Sequence, residues 1–245
     1  MMRRLLPAIL IALMPAVALA ADRASTDYSR WAVVIVAGDD HAHDGGHSEV
    51  FDNARKKLAA AFARIGFSPA NMIQFSVDPD AASRKSSIRG FADELWDLSG
   101  RAPGGCLIYF TSHGTPGGIV VDQSILPPEQ MRTIVNNSCG AKPSVIVMSA
   151  CFSGQFVPAL AGDHRIVITA ARSDRTSFGC GSLDRYTYFD DCFLSALPMA
   201  DGFARLGRLA QECVAVRERQ TGATPPSEPQ VFVGADAADL AFPRS

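Results

Sequence analysis

The sequence predicts a mixed α/β fold: a three-layer α/β/α sandwich around a mostly parallel sheet. Three observations carry that expectation. Short apolar runs rich in β-branched residues alternate with amphipathic stretches at helical spacing from one end of the chain to the other. Two of those runs end abruptly, one in His113-Gly114 and one in Ala150-Cys151-Phe152-Ser153-Gly154. The interval between them is long enough for a helical crossover between parallel strands.

The first twenty residues read as a targeting segment. Arg3 and Arg4 precede an apolar stretch, Leu5 to Val17, and Ala18-Leu19-Ala20 is a small-x-small cleavage site. Residues 1–20 are therefore expected to be a removed signal peptide, and the protein to be exported, periplasmic or secreted. No later stretch reaches the roughly 18 apolar residues of a membrane helix. A stable membrane span is not expected after signal removal. The main folded domain is expected over 31–235, with 236–245 as a C-terminal tail.

The first strand is Trp31 to Ala37, stopped by Gly38. A polar loop follows, with His41, His43, Asp44 and His47. Ser48 is placed to cap a helix running to about Ile65, because Phe51, Ala54, Leu58 and Phe62 fall on one face. Asn71 to Val77 reads as a second strand. Ser87 opens a helix with Ile88, Phe91, Leu95 and Leu98 on one stripe, and Gly100 as its stop. The His113 strand comes next, then a loop through Gly114, Pro116, Gly117 and Gly118. Pro127-Pro128-Glu129 suits a helix start and predicts a helix ending near Asn136. After the Cys151 strand come a strand at 165–170 and a long polar loop at 171–188. Helices at about 189–197 and 203–219 follow, and Gln230 to Val233 is the last strand. Loops as long as 171–188 are uncommon in compact domains and are often functional.

Composition sets outer limits. The chain of 245 residues is 47% hydrophobic, enough for one substantial core. With a net charge of −2 and no long basic run, nucleic acid is not an expected partner. All six cysteines follow the targeting segment. If Cys151 stays free, at least one other must be free or pair between molecules. Cys106, opening a buried strand, reads as an apolar core residue. Cys180, Cys192 and Cys213 are close enough in sequence for one bridge among them.

A thiol and an imidazole on neighbouring strand ends are the elements of a cysteine nucleophile and its acid/base partner. The amides of Gly114 and Cys151 are candidate oxyanion donors. The His41, His43, Asp44, His47 loop has metal-like composition, but His-x-His on a loop is weakly specific. It reads as a polar rim, and no metal or cofactor is expected.

At these residues the sequence resembles a family. Thr111-Ser112-His113-Gly114 and Ser149-Ala150-Cys151-Phe152-Ser153-Gly154 are similar to the active-site motifs of the legumain family of cysteine peptidases. That family is grouped with caspases, metacaspases, separase and gingipains. The resemblance extends over roughly 31–234 and implies a caspase-like fold. It implies His113 as general acid/base, Cys151 as nucleophile, Gly114 with Cys151 as oxyanion hole, and a peptide or protein substrate.

The family cuts after asparagine and sometimes aspartate. Its pocket uses an arginine after the first strand, an acid beside the cysteine and a later aspartate. Asp191 fits the last position. Gly46, beside His47, stands at the first, and Ser149 and Phe152 stand where plant and animal legumains carry glutamates. Asp44 loosely matches a residue that orients the histidine, and Ser177 is a further pocket candidate. The alternatives are a transpeptidase or ligase using the same dyad, or a non-catalytic caspase-like binding module. Oligomeric state is not readable from the chain.

Overall fold

A computed structural model of the chain describes residues 26–243. The expected signal peptide at 1–20 lies outside the described residues. In chain order the elements are β1 (Trp31–Ala37), α1 (Val50–Arg64), β2 (Met72–Ser76), β3 (Arg84–Lys85), α2 (Ile88–Arg101) and β4 (Gly105–Thr111). Then come β5 (Gly114–Thr115), β6 (Gly118–Val121), β7 (Ser124–Leu126), α3 (Pro128–Cys139) and β8 (Ser144–Ser149). The last are α4 (Phe156–Leu160), β9 (Arg165–Thr169), α5 (Tyr188–Ala196), α6 (Phe203–Thr221) and β10 (Gln230–Val233).

Seven strands form one sheet in the order β10-β9-β8-β4-β1-β2-β3. All neighbours are parallel except β10, which runs antiparallel to β9. Alternation along the strands feeds two cores. Trp31, Val33 and Ile35 face Leu58 and Phe62 of α1, Phe193 of α5 and Leu206 of α6. Ala32, Val34 and Val36 face Phe91 and Leu95 of α2, Met131 of α3 and Phe156 of α4. Because β1 is buried on both faces, it is apolar at every position rather than at every second one. Each large core side chain contributes about 1.5–3 kcal/mol by leaving water.

This order creates a switch point. The chain lays β2 on one side of β1 with α1 on one face, then returns to lay β4 on the other side with α2 on the opposite face. The loops leaving the carboxyl ends of β1 and β4 therefore diverge and leave a crevice, the usual place for a ligand in such sheets.

Several local expectations are corrected. The Gly-rich stretch after His113 is not a plain loop but a three-stranded antiparallel sheet, β5-β6-β7. Ser48 is not the helix cap: Glu49 holds that position, and Ser48 Oγ lies 3.4 Å from the Val50 amide. Gly100 does not stop α2, which runs to Arg101. Helix α3 runs past Asn136 to Cys139, where Gly140 with φ 57° ends it. Cys106 is not merely apolar: it forms a disulfide with Cys139, joining the start of β4 to the end of α3. Cys192 and Cys213 pair as well, tying α5 to α6, while Cys151 and Cys180 are free. The residues after β10 pack onto the domain, with Phe242 buried against Tyr28 and Phe203.

Candidate active site

Strands β4 and β8 pair in a register that sets Thr111 opposite Ser149. The amide of Ser112 still reaches the Ser149 carbonyl at 3.1 Å. His113 and Cys151 each follow two residues after that pair, so the register brings the two residues to the same height just beyond the ends of adjacent strands. Both are half-buried.

Three contacts shape the histidine. Its Nε2 lies 2.9 Å from the His41 carbonyl oxygen, in the loop that leaves β1. A carbonyl only accepts, so Nε2 carries the hydrogen and Nδ1 is the basic nitrogen of the neutral ring. The buried ring of Phe51, from α1, meets the imidazole edge to face at 5.1 Å. Behind it, Val120 N donates to the His113 carbonyl at 2.9 Å.

The cysteine sits on a turn whose residues have separate tasks. Phe152 adopts a left-handed conformation, φ 57°, uncommon for a side chain of that size. Its amide donates to the Arg175 carbonyl at 2.7 Å. Ser153 Oγ, fully buried, accepts from the Ala171 amide at 3.1 Å. Gly154 lets the turn close on the next segment: a Cβ there would lie 2.5 Å from the Ser173 nitrogen. The Phe-Ser-Gly sequence thus fastens the turn to the long loop after β9. From that loop the Ser177 amide donates to Cys151 Sγ at 3.2 Å. That N–H fixes the position of the sulfur against the loop.

Gly114 packs on the cysteine from the β4 side. A Cβ on it would lie 1.9 Å from the Cys151 carbonyl oxygen. In an antiparallel pair the bonded positions alternate. Val120 bonds to His113, so the Gly114 amide falls outside the β5–β6 ladder. That donor stands beside the cysteine, where a developing oxyanion would need it.

The remaining predicted residues are distributed unevenly. Ser177 lies against the sulfur, with its carbonyl and hydroxyl oxygens each 3.7 Å from Sγ. Asp44 does not orient His113, which the His41 carbonyl does; Asp44 accepts from the Gly46 amide within its own loop at 3.0 Å. His47 pairs with His41 in an isolated bridge that shapes that loop. Asp191 is held by Arg217, whose guanidinium lies 4.7 Å above the Tyr188 ring.

Among the described residues, the groups close enough to share an ion are Asp39, Asp40 and His41, not the His43, Asp44 and His47 set. His41 Nδ1 lies 2.8 Å from Asp39 and 3.0 Å from Asp40, and those carboxylates raise its pKa. No helix among the described residues is long and apolar enough to cross a membrane.

Sequence reading missed Asp190, beside the predicted Asp191. Its carboxyl is fully buried and accepts from Tyr109 Oη at 2.7 Å and Thr111 Oγ1 at 2.6 Å. Burial pushes its pKa up against the pull of those hydroxyls. The available signal was Thr187 three residues ahead, a helix cap whose Oγ1 accepts from the Asp190 amide at 3.0 Å.

Residues 100–208 match the sequence profile of the Peptidase C13 family. That span holds His113, Gly114, Cys151, Ser177 and both aspartates. No curated protein matches the chain. Among solved structures, the crystal structure of caspase-1 from Spodoptera frugiperda aligns with a TM-score of 0.62 at 13% identity. The alignment covers 91% of this chain and 94% of that one, and it establishes the fold. The family match covers the segment that carries both motifs, and the structural alignment shows that this segment sits on a caspase-like fold.

Proposed function

We propose that the protein is an exported endopeptidase working through a Cys151–His113 dyad and a thioester intermediate. Cys151 sulfur attacks the scissile carbonyl carbon, and the Gly114 and Cys151 amides hold the oxyanion. His113 delivers a proton to the leaving amine. Water then attacks the thioester and the thiol is regenerated. The observation that carries this reading is the β4–β8 register, which levels His113 with Cys151 and packs Gly114 on the cysteine backbone. Cleavage after asparagine or aspartate is part of the proposal and rests on the family resemblance. Export draws support from the residue pattern of 1–20 and from two disulfides, bonds that persist in oxidising compartments.

The test is cleavage of a peptide library varied at the residue before the cut, with Cys151→Ala as control. Cleavage lost in the variant and concentrated after asparagine or aspartate supports the whole reading. Cys151-dependent cleavage after arginine or bulky apolar residues keeps the dyad and removes the specificity. Cleavage that survives in Cys151→Ala removes both.

A further inference from the structure

We propose that Asp190 is a positioning residue for the dyad, clamping the paired strand ends beneath His113 and Cys151 and holding the Ser177 amide on the cysteine sulfur. The inference rests on the dyad reading above and adds a residue that touches neither substrate nor reacting atoms.

The clamp has two arms. The first reaches the sheet. Tyr109 and Thr111 of β4 both donate to the Asp190 carboxyl, one to each oxygen. Thr111 is paired with Ser149 of β8, and Ser149 Oγ lies 3.4 Å from Thr187 Oγ1, the group that caps Asp190. The carboxyl and its cap thereby join the last paired residues of the two strands that deliver imidazole and thiol. Every member of this cluster is buried: Tyr109, Thr111, Ser149, Thr187 and Asp190.

The second arm reaches the sulfur through the first turn of α5. The Tyr188 amide donates to the Phe178 carbonyl at 2.9 Å, and Phe178 follows Ser177, whose amide bonds Cys151 Sγ. Moving the start of α5 moves the segment that carries that donor.

A buried carboxyl bound to hydroxyls is a costly way to fill a core, and apolar replacements of ion-containing clusters are often as stable. Its directional bonds have a different effect. They fix spacing between three elements whose apolar packing alone would tolerate small slides. Catalytic geometry is sensitive to displacements on the order of 1 Å.

The experiment needs no knowledge of the substrate. Alkylation of Cys151 by iodoacetamide is followed by peptide mass spectrometry from about pH 5 to 10, the range in which thiols titrate. Wild type, His113→Ala, Asp190→Asn and Thr111→Val are compared. Cys180, free and half-buried, serves in the same samples as the reporter of folding.

Wild-type Cys151 is expected to alkylate faster near neutral pH than Cys151 in His113→Ala. Asp190→Asn is expected to slow Cys151 alkylation about tenfold near neutral pH, moving its pH profile towards that of His113→Ala, with Cys180 still protected. A wild-type profile in Asp190→Asn overturns the proposal and leaves the dyad standing. An unchanged profile in His113→Ala removes the dyad and this inference with it. If Asp190→Asn exposes Cys180, Thr111→Val decides: a profile moved like that of His113→Ala supports the clamp, and a wild-type profile overturns it.

Discussion

Gly114 lies so close to Cys151 that a single added carbon on the glycine would sit 1.9 Å from the cysteine carbonyl oxygen. The obstructing atom is backbone, held by a turn that is itself fastened to the 171–175 segment. It cannot swing aside as a side-chain tip would. Gly114→Ala should therefore push the β5 segment off the cysteine. The expected result is loss of Cys151 labelling by an electrophilic peptide, with destabilisation of about 1–3 kcal/mol in chemical unfolding. Full labelling at unchanged stability would contradict the packing.

Phe51 supports the ring of His113 from below and is itself fully buried. Phe51→Ala removes that support and opens a cavity, so stability should fall by about 3–5 kcal/mol. Cys151 alkylation should slow as well, because the imidazole loses one of its walls. A stability loss with alkylation unchanged would mean that the His41 carbonyl alone holds the ring.

The cysteines make a prediction about counting. Denatured without reductant, the protein should take up label at Cys151 and Cys180 only, and at all six cysteines after reduction. Replacing Cys106 and Cys139 by serine should cost about 2–4 kcal/mol, because the bridge restricts the unfolded chain. Mass spectrometry and denaturant titration check the two parts.

Cys180 should also be the slow thiol of the folded protein. Burial pushes its pKa up from 9.0 to about 11, helped by the neighbouring Cys151. Near pH 8 it is almost wholly protonated and should alkylate far more slowly than Cys151. A folded-state pKa above the unfolded one means that the native state holds the proton longer. Its contribution to stability is complete below about pH 9 and is lost as pH rises towards 11. Replacing Cys180 by alanine should flatten that alkaline decline in thermal unfolding.

Arg55 gives a prediction at the acid end. Its fully buried guanidinium bonds Asp52 at 2.7 Å, Gln74 at 2.8 Å and Asp80 at 2.8 Å. The pKa of Asp52 is raised by burial but lowered more by Arg55 and Lys56 together, and that of Asp80 is lowered chiefly by Arg55. Both folded values lie below the unfolded ones, so this stabilisation is present above about pH 4 and fades as pH falls further. Arg55→Met should cost about 1–3 kcal/mol at neutral pH. The gap from wild type should narrow in acid, as read from unfolding curves along a pH series.

What the sequence by itself determined was local. Strand β1 is apolar at every position because both its faces are buried, and the Trp31–Ala37 run marks its bounds. Ser87 caps α2 through its own hydroxyl to Gly90 at 3.0 Å, a contact within one helical turn. His113 and Cys151 were legible because each closes an apolar run, and a parallel register needs little more to bring them level. Tertiary structure decided the rest. The partner of His113 is a backbone carbonyl, which any residue could supply, so no side chain at position 41 announces it. Asp190 and Asp191 are neighbours of one type in one helical turn. One is buried against β4 and the other meets Arg217 from α6, because the docking of α5 turns them to different surroundings. Cys106 found Cys139 only when α3 packed back along β4. Cap and strand signals act over a few residues, whereas these contacts join positions far apart in the chain, whose meeting is set by sheet order and helix packing.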